Sequence, residues 1–171
     1  MKVAIIGHRK VQNKGKLVEQ IYDTVTDLVE NQGVDTFLFG GKGEFDELCF
    51  YVITDMQKIY PHIKRVYVRA QHEEISKIYE EHLLQKYEET FYPDKVRGTN
   101  ELCYVVRNAC MIEMCDILLT YYDDNYLPPS KTTKNKMLAV AYCHKKSQSG
   151  TAMAVRYAKG RKKTIINLFE A

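Results

Sequence analysis

"FLFGGKGEFDELCF", residues Phe37 to Phe50, contains the transition on which the fold turns. A short apolar run stops at Gly40, Gly41 and Gly43. Two acids follow, Glu44 and Asp46. Apolar residues then return at helical spacing: Phe45, Leu48, Cys49, Val52, Ile53 and Met56. The pattern is strand, glycine turn, amphipathic helix. Such turns often cradle phosphate, which carboxylates should repel. The stretch therefore poses a question: what do Glu44 and Asp46 do in it?

Working outward, the same alternation repeats. Upstream, "KVAII" (Lys2 to Ile6) reads as a buried strand that stops at Gly7, and Lys16 to Glu30 carries a helical apolar stripe with Gly33 as its stop. Downstream, Pro61 ends the helix of the opening stretch, and "IKRVYVRA" (Ile63 to Ala70) is the third strand. A helix is expected over about Glu73 to Gln85. "YEETFYP" (Tyr87 to Pro93) fits strand or loop. A further helix covers about Glu101 to Met114, and "DILLTYY" (Asp116 to Tyr122) is a strand. The segment from Asp123 to Ser149 is rich in Lys, Thr, Ser and Pro, with "MLAVAYCH" (Met137 to His144) as a short element of either type. "SGTAMAVRYAKG" reads as a capped helix ending at Gly160, and "TIINLF" as the last strand. The alternation predicts an α/β, Rossmann-like three-layer fold: a mostly parallel sheet with helices on both faces.

Composition bounds the function classes. A chain of 171 residues with 45% hydrophobic and 27% charged residues is expected to be one domain, 1–171, with a substantial core. A net charge of +3 gives no argument for nucleic acid or an anionic membrane. The five cysteines form no CxxC pair, so neither a zinc site nor a disulfide framework is expected. Cys103 and Cys110, seven apart, should share a helix face as small buried hydrophobes. The opening apolar run is too short for a signal peptide and no run approaches a membrane span, so a cytoplasmic location and no membrane partner are expected.

In a parallel α/β sheet, ligands bind at loops leaving the carboxyl ends of the strands. Three loops qualify: "GHRK" at Gly7, His8, Arg9 and Lys10; "GGKGEFD" at Gly40, Gly41, Lys42 and Gly43; and "SQSGTA" with Ser149, Gly150 and Thr151. All three should meet at one rim. "SGTA" carries the most direct phosphate signal, since Ser149 can cap a helix, Gly150 permits close approach and Thr151 offers a hydroxyl. It lacks the lysine of a P-loop and the spacing of GxGxxG, so neither an ATPase nor a dinucleotide dehydrogenase follows. Arg107 and Asn108 are polar positions in an otherwise apolar helix. Arg107 either faces solvent or reaches the rim as a clamp for phosphate or ribose.

Nearly the whole chain resembles the SLOG superfamily, the Rossmann-like group named after Smf-type DNA-processing proteins and the Lonely Guy phosphoribohydrolases. "GHR", "GGKGEFD" and the linked pair "RNACMIEMCDILLTYYD … SGTAMAVRYA" carry the resemblance. Arg107 and Met111 match the spacing of the Arg and Met in the Lonely Guy ERKxxM helix, and Ser149, Gly150 and Thr151 match the end of its phosphate loop. The resemblance implies a nucleotide-binding domain. It also marks a departure: the catalytic glutamate of GTxxE falls on Ala154, which cannot handle a proton.

Three classes therefore compete. The first is a sensor or binding module for a nucleotide or nucleotide-derived small molecule. The second is an N-glycosidic hydrolase using Glu44 and Asp46. The third, a Smf-type DNA-binding protein, is disfavoured by the modest charge. Glu44 and Asp46 could contact ribose hydroxyls, act as paired carboxylates, or simply complement a helix dipole. No cofactor, no metal and no nucleic acid are expected, and a homo-oligomer is.

Overall fold

The computed structural model describes residues 1–97, 102–126 and 149–170. Its strands are β1 (Lys2–Ile5), β2 (Thr36–Phe39), β3 (Lys64–Val68), β4 (Glu89–Phe91), β5 (Ile117–Thr120) and β6 (Thr164–Asn167). Its helices are α1 (Lys14–Glu30), α2 (Glu44–Met56), α3 (Lys77–Leu84), α4 (Leu102–Met114) and α5 (Gly150–Gly160). The strands form one sheet in the order β4-β3-β2-β1-β5-β6, and every pairing is parallel. The chain steps outward from β1 to β4, then returns to the other side of β1 for β5 and β6. The strand order thus reverses between β1 and β5.

Side chains of a strand alternate between faces, and here both faces are covered. Val3, Ile5, Phe37 and Phe39 pack with Leu17, Ile21 and Val25 of α1 and Phe45, Cys49 and Ile53 of α2. Ala4, Ile6, Leu38 and Leu118 turn the other way, onto Met111 and Ile112 of α4 and Ala154, Val155 and Ala158 of α5. This double burial explains why the strands read as continuous apolar runs. The register places Ala4 beside both Leu38 and Leu118, and β1 with β2 forms the middle pair of the six strands.

The undecided stretch Tyr87 to Pro93 contains β4, a three-residue edge strand on β3. The helix expected from about Glu73 begins only at Lys77, because the Ser76 hydroxyl accepts from the Tyr79 N–H at 3.3 Å and fixes the start there. α3 is the least buried helix, with Leu83 its one buried residue. Cys103 and Cys110 are both buried on α4. Glu101 and the element expected at Met137 to His144 lie outside the described residues. Among the described residues no helix is long and apolar enough to cross a membrane.

Candidate functional site

Because all strands run the same way, the loops after β1, β2 and β5 and the first turns of α2 and α5 lie at the carboxyl edge. Gly7, Gly40 and Ser149 therefore share that edge, at a sheet whose strand order reverses beside β1. The edge divides into two halves with different chemistry.

The first half is the glycine loop. Gly40 donates its N–H to Asp46 Oδ2 at 3.2 Å, and its carbonyl accepts from Arg107 Nη1 at 2.7 Å. Gly41 N–H also points at the Asp46 carboxylate, 3.1 Å from each oxygen. Arg107 gives a second bond to the Val68 carbonyl at 3.0 Å, and its Nε donates to Asn108 Oδ1 at 3.0 Å. Arg107 is 3% exposed, so the guanidinium neither faces solvent nor projects beyond the rim; it ties the ends of β2 and β3 to α4. A Cβ on Gly40 would lie 2.6 Å from its Cζ. Burial pushes the Asp46 carboxyl up to about 6, while the Arg107 charge and the two glycine N–H groups work against that rise. Burial also pulls the Arg107 pKa down, with Asp46 opposing.

Glu44 is spent on the neighbouring loop. Its carboxylate accepts from Lys10 at 2.7 Å, from the Val11 N–H at 3.1 Å, and pairs with Lys14 at 3.2 Å. These bonds hold its pKa down to about 2, the Lys10 bond most of all. The Glu44 N–H in turn reaches the Arg9 carbonyl at 3.0 Å. Gly43, at φ +99°, allows this interlock, since a Cβ there would meet Arg9 Cα at 2.7 Å. Gly7 makes room for the Phe45 ring. Arg9 and Lys42 are exposed, the Lys42 ammonium lying 5.0 Å from the Tyr104 ring centre.

The second half surrounds His8. Past the end of β1 the pairing with β5 continues, with Ile6 N–H on the Leu119 carbonyl and His8 N–H on the Tyr121 carbonyl. The strand alternation therefore carries on, and His8 projects to the same face as Ala4 and Ile6, that of α4 and α5. It is 1% exposed. The Asp123 N–H donates to His8 Nε2 at 2.9 Å, and the Asp123 carbonyl is 3.1 Å from the same nitrogen. Tyr126 stacks on the imidazole, centroids 3.9 Å apart and planes 14° apart, and Tyr122 stands 5.6 Å away. Burial lowers the His8 pKa, so the ring is neutral at pH 7. His8 Nδ1 and the Tyr126 hydroxyl are buried without a hydrogen-bond partner among the described residues. Asn167, in β6, holds this half from the far side: Oδ1 accepts from the Tyr122 N–H and Nδ2 donates to the Tyr122 carbonyl, both at 2.9 Å.

α5 starts on the same face. Ser149 caps it, accepting from the Ala152 N–H at 3.1 Å. Thr151 is buried, and among the described residues a Cβ on Gly150 would meet nothing within 4 Å. Ala154 is 3% exposed and packs in the core with Met111 and Leu118, so its position lies inside the apolar layer rather than on the rim.

The structure thus brings His8, Arg107, Asn108 and the Ser149–Thr151 turn to one edge and one face, while Glu44 and Asp46 bond to loop backbone and to lysines. An open groove of about 550 Å³ lies at the opposite, amino edge, where Lys64 pairs with Glu89 and Asp35 with the Met1 ammonium. Sequence reasoning missed Tyr122, Asp123, Tyr126 and Asn167. The signal available was "YYDDNY", a polar aromatic run directly after a strand at the reversal point.

No protein-family model matches the sequence, and no curated protein matches it. Solved structures do match in fold. DNA processing protein A from Helicobacter pylori, described for its single-stranded DNA binding mode, superposes with a TM-score of 0.59 at 15% identity over 100% of this chain. This chain spans 66% of that protein. TM1055, a structural-genomics target, superposes with a TM-score of 0.51 at 12% identity, covering 96% of this chain and 71% of its own. At these identities the likeness is one of fold, the α/β Rossmann-like sheet described above.

Proposed function

We propose that this protein is a binding or sensing module for a nucleotide or nucleotide-derived small molecule, held at the carboxyl edge on the α4/α5 face. One observation carries the reading: His8 and the capped start of α5 share an edge and a face where the strand order reverses. A helix start there favours an anion, and the aromatic side chains beside His8 offer surface to a base. Gly150 borders open space, so a bulky residue in its place should obstruct the ligand without disturbing the core. Titration calorimetry with nucleoside 5′-monophosphates should show Gly150→Phe weakening binding about tenfold or more. Equal affinity for the variant and the parent would place the ligand elsewhere. Mass spectrometry of small molecules that copurify would name it. Light scattering would test the expected homo-oligomer.

Hydrolysis of an N-glycosidic bond is the weaker enzyme reading. With Ala154 inside the core and both acids engaged, little or no free base should be released from monophosphates. Rapid release would make Asp46, with its raised pKa, the first suspect. Single-stranded DNA is a second binding reading, favoured by the fold shared with a protein that binds it, and the expectation against nucleic acid loses its support for that reason. Exposed Arg9 and Lys42 could contact phosphates. Affinity for an oligonucleotide that falls steeply with salt, and exceeds that for monophosphates, would favour DNA.

A further inference from the structure

His8 Nε2 has two backbone neighbours in one residue, the Asp123 N–H at 2.9 Å and the Asp123 carbonyl at 3.1 Å, and the donor makes the shorter contact. A nitrogen that accepts this bond carries no proton, because two hydrogens would otherwise meet head-on. The neutral ring then bears its proton on Nδ1, which makes Nδ1 a donor. That donor is buried and without a partner. The ring stacked on it, Tyr126, buries its hydroxyl in the same condition. Unpaired buried polar groups are costly and uncommon in folded proteins, and here two occur in one stacked pair.

Both groups can donate, and His8 projects to the face on which α5 begins with its own N–H groups. The chemistry complementary to such a place is acceptor-only. Among the described residues the nearby carboxylates are engaged: Asp46 and Glu44 serve their own loops, the Asp123 carboxylate accepts from the Asn125 N–H, and Asp124 accepts from the Tyr122 hydroxyl. We propose that His8 Nδ1–H and the Tyr126 hydroxyl form an oxyanion subsite that receives a phosphoryl oxygen of the ligand. The subsite deepens the nucleotide reading and rests on it for the identity of the phosphate's carrier. The Tyr126 ring lies over the imidazole, centroids 3.9 Å apart, so both donors belong to one stacked pair.

Nitrogen-15 labelling of histidine reads the tautomer directly. The expected spectrum at neutral pH has a protonated Nδ1 and a bare Nε2, and the Nδ1 proton shifts on addition of inorganic phosphate or of a nucleoside 5′-monophosphate but not of the matching nucleoside. Tyr126→Phe, which keeps the stack and removes one donor, should weaken monophosphate binding about tenfold and leave nucleoside binding unchanged. A protonated Nε2 would overturn the proposal. So would monophosphate binding that moves the amides of Ser149 to Ala152 yet leaves His8 unmoved and is indifferent to Tyr126→Phe; the nucleotide reading would survive that result. A response of His8 to phosphate alone, with no nucleotide bound at any concentration, keeps the subsite and removes the nucleotide reading. Silence to every probe removes both and leaves water as the partner of the two donors.

Discussion

The glycine loop and the His8 loop lie side by side at one sheet edge, and they differ in how their polar groups are satisfied. Around Gly40 the N–H groups bond to the Asp46 carboxylate and the carbonyl to the Arg107 guanidinium, while Glu44 bonds to Lys10 and the Val11 N–H. Around His8 two buried polar atoms have no partner among the described residues. The loop that looks like a phosphate cradle has used its donors on its own carboxylate, which answers the question posed by Glu44 and Asp46. The loop with fewer glycines keeps donors to spare. Glycine content marks close packing, whereas unmet hydrogen-bonding capacity marks receptiveness.

The most damaging way to break this contrast is to remove the keystone of the closed half. Arg107→Ala strips two carbonyls of a donor and leaves Asp46 buried without its neighbouring cation. It should lower stability by about 3–5 kcal/mol, read from urea unfolding. A loss under about 1 kcal/mol would show that the loop does not depend on the guanidinium.

Glycine replacement sharpens the comparison. Gly43→Ala combines a positive φ with a clash against backbone, Arg9 Cα at 2.7 Å, and should cost about 1–3 kcal/mol. Gly150→Ala enters open space and should stay within about 0.5 kcal/mol of the parent. Thermal melts of the two variants measured together test the assignment of closed and open halves.

The subtlest effect is on pH dependence. Asp46 has a folded pKa of about 6 against an ordinary 3.8, so its contribution to stability is full below pH 3.8 and is lost as pH rises through 6. Glu44, held at about 2 against an ordinary 4.5, contributes fully above pH 4.5 and loses its contribution as pH falls through 2. Two acids two positions apart thus act in opposite senses. Asp46→Asn should flatten the decline in urea midpoint between pH 3.8 and 6, and Glu44→Gln should flatten the acid limb below 4.5. Identical profiles for the two variants would contradict the assigned environments.

Much of the fold is legible in the sequence because most strands and helices announce themselves by local periodicity. β1, β2, β5 and the α2 stripe from Phe45 to Met56 were legible for that reason. The start of α3 was not, since one serine cap decides it, and β4 was not, since three edge residues carry little pattern. At the site, the three loops and their shared edge could be read from strand order. The partners of Arg107 could not, because Gly40 and Val68 are 67 and 39 positions away in the chain. The role of Tyr126 depends on a stack with a residue in another loop, and Asn167 on bonds that span 45 positions. Periodicity reports which face a residue takes, not which distant atom it meets.

The grip of Asn167 on Tyr122 has a consequence for synthesis of the chain. The lock between Arg9 and Glu44 needs only the first three elements and the start of α2, so it can close early as the polypeptide leaves the ribosome. The ledge that carries Asp123, and so orients His8, waits for β6. At about 5–20 residues per second that interval is on the order of ten seconds. Throughout it, the nascent protein has one closed loop and an unfinished receptor, and any ligand that binds at His8 would meet its site only after β6 has docked.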